Sequence, residues 1–177
     1  MESRRKRKRA QGFKWGCYLL LLLGCAVLQT TPGLFQLGQA KPVFLLPLGL
    51  AVAVFEDEFS GALFGAVCGL MWDYTAGRTV GLMALALMAL CFLISVMAQL
   101  YLKMTALNFS LLSGALTLLI LSCDHLFFYV MPEYAGAMER YLRFAPPSAA
   151  MSGLGSALLF WAVGRIHREF KIDTGVV

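Results

Sequence analysis

Residues 61–81 read GALFGAVCGLMWDYTAGRTVG, which places Gly61, Gly65, Gly69, Asp73, Gly77 and Gly81 at a constant spacing of four. Four residues nearly complete a helical turn, so Gly61, Gly65 and Gly69 form a smooth, slowly drifting ridge that another helix backbone can approach closely. Asp73 ends the ridge with a carboxylate. On so apolar a helix that charge is costly unless it finds a partner or water. Gly77 and Gly81 carry the spacing on as loop and helix-start positions, where backbone freedom is used rather than a packed face.

The surroundings of this stretch set the class. The chain has 177 residues, 59% of them hydrophobic and only 14% charged, with a mean hydropathy of +0.72. Such a composition belongs to an integral membrane protein. Six apolar segments follow one another, at about Trp15–Phe35, Pro42–Phe55, Phe59–Asp73, Val80–Leu102, Leu107–Met131 and Ser148–Gly164. The fourth and fifth exceed the roughly 20 residues that cross a hydrocarbon core of about 30 Å. The second and third are shorter, and Pro47 interrupts the second. Glu56-Asp57-Glu58 separates them with three charges, which predicts a tight helical hairpin with a solvated turn. The expected fold is all-α: one compact bundle of about six transmembrane helices over 15–164, between a basic tail (1–14) and a C-terminal tail (165–177).

Charge orients the bundle. Residues 4–9 are six consecutive basic residues, Lys14 follows, and Arg165, Arg168 and Lys171 lie after the last segment. An even number of spans puts these on one side together with Lys103, leaving Lys41, Arg78, Arg140 and Arg143 for the other. The excess of positive charge predicts that both tails are cytoplasmic. Beside a membrane span, the basic start reads as a topology signal and a contact for anionic lipid rather than a nucleic-acid site. With Leu22-Leu23-Gly24-Cys25 it also has the outline of a lipoprotein leader. Leu23, where a smaller residue is usual, and the apolar run beyond Cys25 favour an uncleaved first span.

The polar residues of the spans are few. With the third and fifth spans both running outward, Asp73, Arg78, Asp124 and His125 fall in one leaflet, which allows a shared outer-side polar cluster. Such a cluster reads either as a proton, ion or ligand site or as hydrogen bonds and an ion pair, Asp73–Arg78 among them, that fix the bundle; the structural reading is preferred. The five cysteines are odd in number, widely spaced and placed in spans, so they read as small apolar residues. No spacing offers a metal site, a phosphate loop or a nucleophile motif. Asp73 in Trp-Asp-Tyr and Asp124 in Cys-Asp-His lack the contexts an intramembrane aspartyl protease needs. No catalytic, cofactor or metal residue is expected, and neither a nucleic acid nor a small-molecule substrate.

Between the fifth and sixth segments, residues 132–148 form an outer loop. Tyr134, Met138, Tyr141 and Leu142 share one helical face, with Glu139, Arg140 and Arg143 on another flank, which predicts a short interfacial helix touching lipid headgroups or a partner. Pro146-Pro147 should end the loop, and Ser148 should cap the last span. Ala149, Gly153 and Ala157 in that span repeat the spacing of four and suit close packing.

The order Pro42, a short apolar span, the ladder Gly61, Gly65, Gly69, then Gly69-Leu70-x-x-Asp73-x-x-x-Gly77-Arg78-x-x-Gly81-Leu82 resembles the bacterial rod shape-determining protein MreD family. Size, six apolar segments and the basic start agree with it. The resemblance implies a non-enzymatic membrane scaffold of the elongation machinery, in the cytoplasmic membrane, that organises side-wall peptidoglycan synthesis. It also implies binding to the bitopic protein MreC and, through it, to MreB and the wall-synthesising glycosyltransferase and transpeptidase. In that role Gly61, Gly65, Gly69, Asp73, Gly77, Arg78 and Gly81 would serve helix packing and partner contact. In size and span number the chain is also similar to the substrate-binding component of energy-coupling-factor vitamin transporters, the alternative function.

Overall fold

The computed structural model describes residues 2–33, 40–77, 81–100, 104–131, 134 and 136–170, with side chains from residue 9 onward. Six helices make up these residues: α1 (Glu2–Thr30), α2 (Leu45–Phe55), α3 (Glu58–Ala76), α4 (Leu82–Leu100), α5 (Ala106–His125) and α6 (Ala137–Glu169). A π-helical turn at Leu126–Val130 prolongs α5, closed by the Met131 amide donating to the Leu126 carbonyl at 3.0 Å. No strand occurs among the described residues, so the all-α membrane architecture read from the sequence is the one observed. Residues Arg9–Thr30, Leu82–Leu100, Ala106–Val130 and Ala137–Glu169 are long and apolar enough to cross a membrane. Their outward leucines, such as Leu20, Leu85, Leu111 and Leu158, are largely exposed, as an apolar solvent permits.

The short second helix is the centre of the bundle. Every residue of α2 from Leu45 to Ala53 is buried, and a helix that is apolar all round has no face to turn to water. Its eleven residues span roughly 16 Å, too little for a hydrocarbon core. The chain reaches it through a buried non-helical segment, with Ala40, Pro42 and Val43 enclosed. Backbone donors there must be satisfied by protein. Gln29 Oε1, from the end of α1, accepts from the amides of Phe44 (3.0 Å) and Leu45 (3.2 Å), and Ser152 Oγ, from the middle of α6, accepts from Val43 (2.7 Å). Two distant side chains thus do the work of a helix cap.

Around α2, the closest helix pairs are α3 with α4 and α5 with α6, while α1 rests more lightly on α2, α3 and α6. Lys14 of α1 and His167 of α6 both meet Glu56 at the end of α2, so the start of α1 and the end of α6 lie at the same end of the bundle.

Two expectations are corrected. Helices α2 and α3 do form a hairpin around Glu56-Asp57, but the turn is not solvated throughout, because the Glu56 side chain is only 9% exposed. Pro146-Pro147 does not end a loop before the last span either; both lie inside the continuous 33-residue α6, and Ser148 is an interior position rather than a cap. Two backbone donors are lost there. Surrounding helices let a membrane helix tolerate that loss where a helix in water would break. The helix in residues 132–148 is therefore the first part of α6, starting at Ala137. At the other end, the basic start is helical and continuous with α1.

Candidate functional site: the glycine ridge and its two polar ends

The ridge of α3 meets two helices in succession. A Cβ added at Gly61 would lie 2.8 Å from Ala53 Cα of α2. At Gly65 it would lie 2.6 Å from Cys91 Sγ and 2.9 Å from the Leu87 carbonyl oxygen of α4, and at Gly69 it would strike the backbone of Met83 and Ala84 at the start of α4. Even a methyl group is too large at these positions. The drift of a four-residue spacing around the helix explains why the ridge leaves α2 and crosses to α4 as it rises.

Gly77 and Gly81 do different work. A Cβ on either would meet open space, but their φ angles are +63° and +113°. Gly77 ends α3 in a left-handed conformation, with its amide donating to the Asp73 and Tyr74 carbonyls. L side chains pay a steric penalty in that region, and glycine does not.

Asp73, only 3% exposed, turns to backbone. Its Oδ2 accepts from the amides of Gly81 (2.8 Å) and Met83 (3.2 Å) at the entry to α4. Two orphan donors of a helix N-terminus are satisfied, and the carboxylate sits where the helix dipole favours negative charge. Arg78 lies outside the described residues.

Asp124 and His125 are neighbours that face different surroundings. Asp124 lines a cavity with Gln29, Lys41 and Trp72. His125 is buried, stacks on Tyr129 with ring centroids 4.9 Å apart, and contacts the Ala137 carbonyl through Nε2 at 2.8 Å. A carbonyl only accepts, so Nε2 carries the proton. Of the loop residues, Tyr141 points inward, with its hydroxyl 2.6 Å from Ser122 Oγ and its ring near His125, whereas Tyr134, Met138 and Leu142 are exposed.

The residue that sequence reasoning missed is Glu56. Its Oε2 accepts from Lys14 Nζ at 2.7 Å, and its Oε1 accepts from the Tyr18 hydroxyl at 2.8 Å and from His167 Nδ1 at 3.0 Å. Ser95 Oγ of α4 donates to the Glu56 carbonyl at 3.2 Å. One residue thus ties α1, α2, α4 and α6. Burial pushes the carboxyl pKa up, but the hydrogen bonds from Lys14, His167 and Tyr18 outweigh it and hold the group below its ordinary value. The only sequence signal was an acidic residue directly after a wholly apolar helix.

The arrangement chiefly joins helices. Asp73 and Glu56 spend their carboxylates on hydrogen bonds at opposite ends of the ridge, and no group of three His, Cys, Asp or Glu able to hold a metal occurs among the described residues.

Against protein families, residues 9–169 match the model described as rod shape-determining protein MreD. Neither the curated proteins nor the solved structures yield a match.

Proposed function

The chain belongs to the rod shape-determining protein MreD family, and from that membership we propose that it is a non-enzymatic scaffold organising side-wall peptidoglycan synthesis. Membership itself carries a role in rod shape determination by a multi-pass membrane protein, in a family that is structural rather than enzymatic. The scaffold binds the bitopic protein MreC and, through it, MreB and the glycosyltransferase and transpeptidase that build the wall. It resides in the bacterial cytoplasmic membrane with both tails cytoplasmic, in agreement with the basic residues and with Lys14 and His167 meeting at one end. The domain plan is one membrane domain, 15–164, between tails 1–14 and 165–177.

The match over residues 9–169 carries this reading. The geometry supports a binding role: the ridge locks α3 onto α2 and α4, with Asp73, Gly77 and Gly81 fixing its far end. A groove of about 490 Å³ lies between α5 and α6, where Gly114 and Gly153 pack on each other and Leu111, Ala115, Ala150 and Leu154 remain exposed, and it gives a partner's transmembrane helix an apolar seat.

Photo-crosslinkers at Leu111 and Ala150, beside that groove, and at Tyr74 on α3, in a growing bacterium, test the proposal. Capture of the bitopic partner is expected. Capture of a transporter ATPase instead would replace it with the transport alternative.

A further inference from the structure

At the end of the bundle that holds Glu56, a largely apolar pocket of about 290 Å³ opens among the end of α2, the start of α5 and the last turns of α6, walled by Phe55, Met104, Ala106, Phe160 and Trp161. Close packing builds the wall. The rings of Phe55 and Phe160 lie 4.9 Å apart, and the lack of a side chain at Gly164 admits Phe55, since a Cβ there would come within 2.9 Å of its ring. Arg168 also lines the pocket, and its Nε donates to the Gly164 carbonyl at 3.2 Å. That bond holds the guanidinium in place and leaves its two terminal nitrogens without an acceptor among the described residues.

Trp161, Arg165 and Arg168 recur at spacings of four and three, so they share one face of α6, and the exposed Leu158 precedes them on it. The face thus passes from hydrocarbon to indole to two cations toward the end of the helix. A bilayer passes from acyl chain to interface to phosphate in the same order. Arg165 Cζ lies 5.5 Å from the centroid of the Trp161 ring. Among the described residues neither arginine has a carboxylate partner: Glu56 is taken by Lys14, Tyr18 and His167, and Asp57, Glu58 and the adjacent Glu169 pair with neither. Two uncompensated positive charges therefore stand beside an apolar hollow.

We propose that this pocket seats one anionic phospholipid, with its phosphate on the terminal nitrogens of Arg168 and on Arg165, and its glycerol and upper acyl chain against Trp161, Phe160, Phe55 and Leu158. A guanidinium meets a phosphate with two parallel hydrogen bonds and gives up its water more readily than an ammonium. An arginine that only reaches for water from a helix end has neither a fixed hydrogen bond nor a hollow beside it. A zwitterionic lipid would bring a third cation toward these two, so a net negative headgroup is selected. A free phosphate would leave the apolar wall uncovered, so the occupant is a lipid. The site shares no residue with the glycine ridge or with the groove between α5 and α6, and is independent of the scaffold role.

The test uses the full chain, purified in detergent, with phosphatidylglycerol and phosphatidylcholine of identical acyl chains and retention read by native mass spectrometry. Wild type should retain phosphatidylglycerol at least fivefold over phosphatidylcholine. Arg165→Gln with Arg168→Gln should erase that preference and leave the thermal midpoint in lipid-free detergent unchanged; Arg165→Gln alone, at an exposed position, should lower it at least twofold even if the double variant folds poorly. Ala106→Phe, which fills the pocket and removes no charge, should lower phosphatidylglycerol retention at least threefold. Arg9→Gln, which removes an exposed charge outside the pocket, should leave retention intact. Equal retention of both lipids by wild type, a preference unchanged in Arg165→Gln or in Ala106→Phe, or an equal loss in Arg9→Gln would each overturn the assignment. Glycerol 3-phosphate binding as tightly as the lipid in calorimetry would also overturn it, marking a free-phosphate site instead.

Discussion

Lys14 Nζ lies 2.7 Å from Glu56 Oε2, an ion pair whose two side chains are only 14% and 9% exposed. It joins the basic start of the chain to the end of its most buried helix, and Tyr18 and His167 complete the carboxylate's partners. Removing one member leaves the others desolvated and unpaired, which costs more than the pair contributes.

Stability should therefore depend on acid through Glu56. Its folded pKa lies below the ordinary glutamate value of 4.5. The stabilisation is thus present above that value and is lost as pH falls through the lower folded one. Thermal unfolding of the purified protein should show a midpoint that drops below about pH 4.5, and Glu56→Gln should flatten that drop. At neutral pH, Glu56→Ala should cost about 2 kcal/mol, since Lys14 and His167 both lose their acceptor.

Glycine substitutions should separate steric from conformational roles. At Gly65 or Gly69 an alanine meets a neighbouring backbone or Cβ, and overpacking of this kind costs about 1–3 kcal/mol. Gly65→Leu should also abolish copurification with the bitopic partner and the rescue of rod shape in a deletion strain. Gly77→Ala meets open space and pays only for its positive φ, about 1–2 kcal/mol. Gly77→Asn should recover part of that cost, whereas Gly65→Asn should not. Survival of both partner binding and rod shape in Gly65→Leu would remove the packing role.

Asp73 offers a test of capping against charge. Asp73→Asn keeps an acceptor for the amides of Gly81 and Met83, and its cost should stay within about 1 kcal/mol. Asp73→Leu leaves both donors unmet and should cost about 2 kcal/mol. Cell shape should follow the same order. A rod-shape defect in Asp73→Asn as severe as in Asp73→Leu would show that the negative charge itself is needed.

The buried start of α2 depends on Gln29 and Ser152. Gln29→Leu and Ser152→Ala should each lower stability by about 1 kcal/mol, as loss of a helix cap does. The double substitution should depart from additivity, because both side chains hold consecutive amides of one strand of chain. Chemical denaturation in mixed micelles measures all three.

By itself the sequence determined the class of protein, the order of its apolar segments and which glycines of residues 61–69 share one helical face. Each of these is a property of one continuous segment: apolar length decides insertion, and a spacing of four decides which residues share a face. The resemblance carried by Gly61 to Leu82 likewise needed only local order. Tertiary structure alone decided the partners of the polar groups. Nothing near Asp73 in sequence marks the amides of Gly81 and Met83 as its acceptor's donors, and Glu56 meets His167 across 111 positions. The continuation of α6 through Pro146-Pro147 was hidden for the same reason: proline breaks helices in water, whereas here the surrounding bundle supports the freed backbone. A hydrogen bond is chosen by proximity in the folded chain, and the burial that makes each of these bonds necessary exists only once the helices have packed.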